Sequence, residues 1–562
     1  MNRNVWHGVA CFAIMLVSFM VARVASASNA VTSGNWSSPG TWSAGEPSSM
    51  PDNPAIVNGG YTVTIDQPGE GTTLTDLGTV AGETGTLEIT AGDLTVTGGA
   101  LPSIRVGQAA SSTGVLNMKG GTVAINGGSG GGFAIGDLMV GDVGAGTVSM
   151  SSGNFTVSDE IIIANADIST GVVNVSGGTL KTTGRSIIAG FDGNGTLNVS
   201  GTGSVTANFD LLVGFVEGSV GKVNLSGGTI EAGLMFSNSF TGGAGSTATL
   251  TQTGGTFTAR IAYVLGQGVG TSTLTHSGGA INVLTGNGDM VVSDGGGNTS
   301  TYNVSGSATV NLLHNFFVGT FQGANGTVNQ TGGTITVGDN VFVGRDGDGA
   351  WNQSGGAVSA RNMFLGDFDS SNGTVKISGG TLSLSGNLSV GAALASNAPP
   401  APVGTQGQAV DANGTFIVSG AGGAIDVRGN LLANDGDHTR ALPGTPGDNV
   451  SKLVWEVLSG SGVSMIKVGG LADLTGAEID VDLLGGSFGA GSTFDLITAT
   501  DISDDYVQIA EDVGQFQLSV VSGGNGEILR ATLIPEPASL LLVLGAIAAS
   551  CVRRPARLAA VR

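Results

Sequence analysis

The stretch NQTGGTITVGDNVFVG, residues 329–344, holds two half-motifs that the chain restates along most of its length. The first half recurs as NMKGGTV from 117, NVSGGTL from 174, NVSGTGS from 198, NLSGGTI from 224, TQTGGTF from 251 and THSGGAI from 275. It returns as NVSGSAT from 303, NQSGGAV from 352 and KISGGTL from 376. The second half recurs as DLMVG from 137, DLLVG from 210, NFFVG from 315, NMFLG from 362 and NLSVG from 387. A period of about 23 to 28 residues lies within the range of solenoids. Apolar and polar residues alternate around the Gly pair and run apolar up to VG, which reads as two or three short strands per coil. Glycine supplies the corners with positive φ.

This pattern predicts an all-β protein, a parallel β-helix in which each strand pairs with its equivalent one coil away. Roughly a dozen coils at ~4.8 Å would make a rod about 55 Å long. Phe317, Phe342 and Phe364 share one position, and Val318, Val343 and Leu365 the next. Both sets are expected to line the narrow interior. Asn315, Asn340, Asn362 and Asn387 share a register with Asp289, and with Asp137 and Asp210 earlier. Stacked amides there should hydrogen-bond along the axis as a structural ladder. The N-x-[ST] sequons at Asn174, Asn198, Asn224 and Asn303 arise from the repeat and fall on predicted strands, so they carry no glycosylation signal.

Composition narrows the function classes. The chain has 562 residues, 100 of them Gly, and a formal net charge of −22. Nucleic acid is excluded as a partner, since phosphate neutralisation needs clustered Lys and Arg. The two cysteines, Cys11 and Cys551, lie in the two terminal apolar runs. No disulfide or cysteine metal site can therefore brace the body between them.

Domain organisation follows from breaks in the period. Residues 1–27 read as a signal peptide, with Arg3, an apolar run and an A-x-A cleavage site at Ala25 and Ala27. Residues 28–100 are expected to form an N-terminal β cap and the first coils, with Trp36, Trp42 and Tyr61 covering the open end of the rod. Coils fill 101–396. A Pro/Gly-rich linker with one degenerate coil spans 397–449, and a small antiparallel β domain is expected over 450–533. Residues 534–562 open with Pro535-Glu536-Pro537 and continue into an apolar, uncharged run at 538–552. That run is short for a span needing ~20 residues. Arg553 and Arg554 follow, where the positive-inside rule would keep them cytoplasmic.

These last 29 residues resemble the PEP-CTERM sorting signal of Gram-negative, exopolysaccharide-producing bacteria, with its three parts in order. The arginines are interrupted by PA and followed by LAAV rather than ending as a tight cluster. The repeats are similar to autotransporter-like and pectin-lyase-like β-helices. The resemblance implies an exosortase-type processing protease as partner, a transient stay in the inner membrane through a short helix, and a destination at the cell surface or in the matrix. It further implies a structural or adhesive role alongside exopolysaccharide in a biofilm.

Two other classes compete. A polysaccharide lyase or glycoside hydrolase on this fold needs paired carboxylates, or a base beside a calcium cluster, on adjacent coils. The nearest set is Asp346 and Asp348 with Asp367 and Asp369, after equivalent glycines, with Arg345 adjacent. Four such oxygens suit Ca²⁺, although Asp and Gly are also default turn residues. No catalytic constellation rises above turn composition, and His276, His314 and His438 lack zinc spacing. A glycan-binding module would instead place exposed aromatics on one face, and aromatics are only 5% of the chain.

Overall fold

The structure is a computed structural model. It describes residues 27–48, 53–97, 103–127, 136–237, 245–367, 371–391, 412–433, 450–458, 462–484, 488–504, 507–509, 516–524 and 526–534. Ala25 and the other residues before Ala27, Pro535, Glu536, Pro537, the 538–552 run, Arg553 and Arg554 lie outside these residues, as does most of the 397–449 stretch. Among the described residues no helix is long and apolar enough to cross a membrane.

The chain winds into a parallel β-solenoid of about 16 turns, close to 75 Å long at ~4.8 Å per turn. Each coil contributes three strands, and like strands stack in register to make three flat faces. On the first face Thr113–Met118, Ala145–Met150, Thr170–Val175 and Asn194–Val199 pair residue for residue. The second face stacks Thr122–Asn126, Asn154–Val157 and Thr179–Thr182. The third stacks Leu138–Val140, Ile161–Ile163 and Ile187–Ala189. Every second residue points in, so Val, Ile and Leu from all three faces fill one continuous core.

The corners explain the motif. The second Gly of each GG pair turns the chain from the first face to the second; Gly356, at φ +76°, is one example. The Gly of VG ends the third strand, as Gly344 does at φ +67°. A Cβ there would sit 2.2 Å from the carbonyl oxygen of Asn372 in the next coil, a distance no side chain tolerates. Ala164 and Ser293 hold the same left-handed conformation in two other coils, at φ +61° and +68°.

Strand alternation corrects the expected interior. Within Phe316–Val318 the inward residues are Phe316 and Val318, and Phe317 points outward between them. Val343 and Leu365 line the core together with Val318, whereas Phe342 and Phe364 lie on the outer surface of the third face. Adjacent residues of one strand cannot both face the core.

Both ends are closed. Trp36 and Trp42 are buried at the N-terminal end, edge to face at 5.0 Å, with the Trp42 indole Nε1–H donating to the Trp36 carbonyl at 2.7 Å. Tyr61 packs half-buried against the same core. At the other end, the antiparallel pairing expected throughout 450–533 is confined to the last strands. Val450–Leu458 pairs parallel with Asn413–Ser419, and Glu478–Leu484 pairs parallel with Val450–Leu458, so the rod continues through this segment. Among the described residues of this segment, the strands that pair antiparallel are Thr493–Ala499, Phe516–Gly523 and Gly526–Leu533, and Phe494 and Phe516 pack there as a lid over the open edge.

Candidate functional site

Because strands repeat in register, any side chain on an outer face stands beside its equivalents one coil away. The third face shows this in three columns. In the first, Asn315 donates from backbone N and from Nδ2 to Asp289 Oδ1, at 2.9 and 3.1 Å. Asn340 does the same to Asn315 Oδ1, at 3.2 and 3.1 Å. Asn362 Nδ2 reaches Asn340 Oδ1 at 2.8 Å, and the backbone N–H of Asn387 reaches Asn362 Oδ1 at 2.8 Å. Asn430 and Leu471 extend the row. Each side chain thus caps the start of the next coil's strand.

The second column is apolar. Phe317 and Phe342 stack at 5.0 Å and 8°, and Phe342 and Phe364 at 5.0 Å and 20°. Val264 and Val291 continue this column, and Ala262, in register with Asp289, packs beside them. In the third column the Arg345 guanidinium lies over Phe317 and Phe342, 5.1 and 5.4 Å from the ring centres. Its Nε stands 3.9 Å from Asp367 Oδ2. Burial pushes the Asp367 carboxyl up, and Arg345 opposes that shift.

Three of the four aspartates suggested for Ca²⁺ fall within the described residues. Asp348 opens a first-face strand and accepts from Asn372 Nδ2 at 2.7 Å, while Asp367 belongs to the Arg345 column of the third face. Asp346 lies in the turn that precedes Asp348, and Asp369 lies outside the described residues. Among the described residues no three His, Cys, Asp or Glu side chains converge as a metal site.

A further charge cluster among the described residues went unread in the sequence. Asp137, Asp159 and Glu160 meet Arg185 at the start of the third face. Arg185 Nε is 3.3 Å from Asp159 Oδ1, yet off the line a hydrogen bond requires, and its Nη1 is 3.7 Å from Glu160. Burial, with Asp137 adding repulsion, pushes the Glu160 carboxyl up to about 7. Arg185 also borders a shallow hollow with Ser158, Thr183, Asn208 and Phe209. Nearer the N-terminal end, Arg105 forms a bidentate pair with the buried Asp76. Such pairs are spread along the rod by the repeat rather than converged on a reacting centre.

Inside, where the residue two before a Gly pair is polar, it faces the core and serves the corner. Gln353 Nε2 donates to the Thr381 carbonyl at 3.0 Å, and Gln252 Nε2 to that of Ala280 at 2.9 Å. His276 fills the same position, with Nε2 3.2 Å from the Gly279 carbonyl and Nδ1 2.9 Å from the Tyr302 hydroxyl. The neutral ring with its proton on Nε2 satisfies both contacts. Burial, working against the proton, lowers its pKa to about 4. The folded value lies below the unfolded ~6.5, so the unfolded chain takes up the proton first. This contribution is whole above pH ~6.5 and is lost as pH falls toward 4, up to roughly 3 kcal/mol. His276→Gln, which copies Gln252 and Gln353, should fold and show a flatter fall in urea stability between pH 7 and 4 than the wild type. Parallel curves would refute that assignment.

Fold and surface together define a parallel β-solenoid on whose outer faces columns of Asn and Phe side chains engage their own equivalents in neighbouring coils. Comparison with protein-family models, curated proteins and solved structures returns no match to this chain.

Proposed function

We propose that this is an exported, exosortase-sorted structural or adhesive component of the cell surface or extracellular matrix, associated with exopolysaccharide in a biofilm. The observation that carries the reading is the parallel pairing of coil on coil along the rod, with polar side chains held in ladders between them. Such a body suits load-bearing and lateral contact better than turnover, which needs a cleft that gathers acid, base and substrate. The two ends of the sequence supply the address: a signal helix cleaved after Ala27, and a short membrane helix at 538–552 between Pro535-Glu536-Pro537 and Arg553-Arg554. A processing protease acts near the PEP motif, and the anchor holds the chain transiently in the inner membrane.

Replacing Pro535, Glu536 and Pro537 by Ala in the producing organism should leave the full-size chain in the inner-membrane fraction and strip it from the surface and matrix. Immunoblots of those fractions read the outcome; unchanged distribution would remove the sorting half of the proposal. Incubating the full chain with the organism's own exopolysaccharide, with and without calcium, tests the other half. Binding without shortening of the polymer is expected. Shortening that Asp346→Ala and Asp367→Ala abolish would make the protein a polysaccharide-active enzyme instead.

A further inference from the structure

We infer that the first face of the solenoid, between Thr170 and Lys376, is a docking surface for a neutral, extended, hydroxyl-rich polymer lying along the rod axis. The inference rests on the proposed matrix role and names the surface and the polymer chemistry.

Three outward columns run along this face through nine coils, beginning at Thr170, Val172 and Asn174 and ending at Asn372, Thr374 and Lys376. Of their 27 positions, 21 are Thr or Asn, and only Lys222, Asp348 and Lys376 carry charge. That composition stands against a net charge of −22 for the whole chain. An acidic protein that keeps one long face almost uncharged presents it to a ligand selected neither as polyanion nor as polycation.

The side chains are set in place before any ligand arrives. Asn198 Nδ2 donates to Asn174 Oδ1 and Asn224 Nδ2 to Asn198 Oδ1, both at 2.8 Å. Asn329 reaches Asn303, and Asn352 reaches Asn329, each at 3.0 Å. Each link uses one N–H and one lone pair, so every amide keeps a second donor and a second acceptor. Fixed rotamers reduce the ordering cost of binding. Beside them, no described residue hydrogen-bonds the hydroxyls of Thr249, Thr273, Thr301 or Thr327. A hydroxyl donates and accepts, as each of these groups does, so a polyol satisfies the whole array without a charge.

Shape selects the polymer. The columns repeat every ~4.8 Å along the axis and lie ~6.6 Å apart across it, a flat strip about 38 Å long and 13 Å wide. A compact ligand needs a concave site, whereas a linear chain meets equivalent groups in each coil and gains by repetition. The third-face phenylalanines offer no competing platform. Phe342 is stacked on both sides at 5.0 Å, by Phe317 and Phe364, and Arg345 lies over Phe317 and Phe342, so the column offers a sugar no run of open ring faces.

The test uses the full chain and two soluble probes, a neutral β-glucan and alginate as a polyuronate, with binding read by retardation in affinity electrophoresis. The wild type should be retarded by the glucan, equally at low and high salt, and not by alginate. Thr273→Glu, Thr301→Glu and Thr327→Glu together should weaken glucan binding by roughly tenfold or more, because the inserted carboxylates repel one another and lose solvent on binding. Thr258→Glu with Thr336→Glu, on the second face, should leave it unchanged. Circular dichroism checks that both variants fold.

Equal binding by the triple variant, preference for alginate, or no retardation of the wild type overturns the inference. So does a wild-type dimer by sedimentation that the triple variant breaks with glucan binding intact; the face would then meet a second copy. These outcomes leave the matrix role standing if the chain still binds the organism's own exopolysaccharide and is still sorted. Loss of both would remove that role as well.

Discussion

Gly349→Val is expected to open the rod locally and to lower its unfolding free energy by more than about 3 kcal/mol. Gly349 is the second residue of its first-face strand and points inward. A Cβ at this position would lie 2.3 Å from the backbone N of Gly344 and 2.4 Å from the Val318 carbonyl oxygen. Both atoms are backbone, and both sit in the corner that closes the previous third-face strand, so neither can give way without breaking register. Gly373 and Gly171 repeat the crowding in their own coils. Where the chain departs from Gly, it uses a small residue, and the coil adapts. Ser272 shares a hydrogen bond with Ser237 at 2.8 Å, and Ser300 donates to the Leu265 carbonyl at 3.0 Å. Gly349→Ser should accordingly cost less than Gly349→Val. Ala350→Val, one residue along and facing out, should stay within about 0.5 kcal/mol. Urea unfolding followed by circular dichroism gives the order. Because a repeat rod need not unfold in one step, hydrogen exchange in the peptides around 318–350 shows whether the damage is local. A Gly349→Val curve that overlays the wild type would mean that the corner is soft and that backbone crowding does not dictate Gly at this position.

Much of this architecture was legible because a solenoid states its fold many times over. The spacing from one SGG to the next measures a coil, and the Gly at VG marks a corner that the structure places at positive φ. Two features were not legible, for identifiable reasons. Two neighbouring apolar residues, Phe317 and Val318, both look like core, and only strand alternation applied to a three-residue strand separates them. The outer partner of Phe317 is its own equivalent, Phe342, so an apolar side chain on that surface is covered without entering the core. The segment from Val450 loses the SGG motif after a proline-rich stretch, and a change of motif reads as a change of fold. Backbone pairing is indifferent to the motif, and the alternating LVWEV run keeps the inward set Leu453, Trp455 and Val457 in place.

The candidate site was less legible, since in a repeat the residue that is special looks like the residue that is structural. Asp348 and Asp367 follow equivalent glycines in sequence, yet one begins a strand paired with Asn372 and the other stands beside Arg345. The cluster of Asp137, Asp159, Glu160 and Arg185 joins residues from successive coils, and no single stretch of sequence displays it. The Thr and Asn columns are present in the repeated motifs, but as the polar half of an alternation. Their continuity as a surface appears only when the register is known.

The mid-rod aromatics set the second large effect, at Trp351. Its indole is buried on the first-face strand between Val328 and Val375 of the neighbouring coils, edge to face with Phe316 at 5.2 Å. Tyr302 packs beyond Phe316 in turn. Trp351→Ala would leave a cavity bounded above and below by strands whose spacing is fixed by hydrogen bonds, so the site cannot collapse. A loss of about 3–5 kcal/mol is expected. Trp351→Phe should lose far less, under about 1.5 kcal/mol, for a reason beyond volume. The indole Nε1–H is buried and has no hydrogen-bond partner among the described residues, so part of the packing energy of the tryptophan is offset by a stranded donor. The phenyl ring keeps the contact with Phe316 and removes that donor. Urea titrations of both variants, with exchange measured over 316–375, give the comparison. If the Phe variant falls as far as the Ala variant, then the fit of the indole rather than the filling of space holds this stretch of the rod, and Nε1 must find a partner in solution.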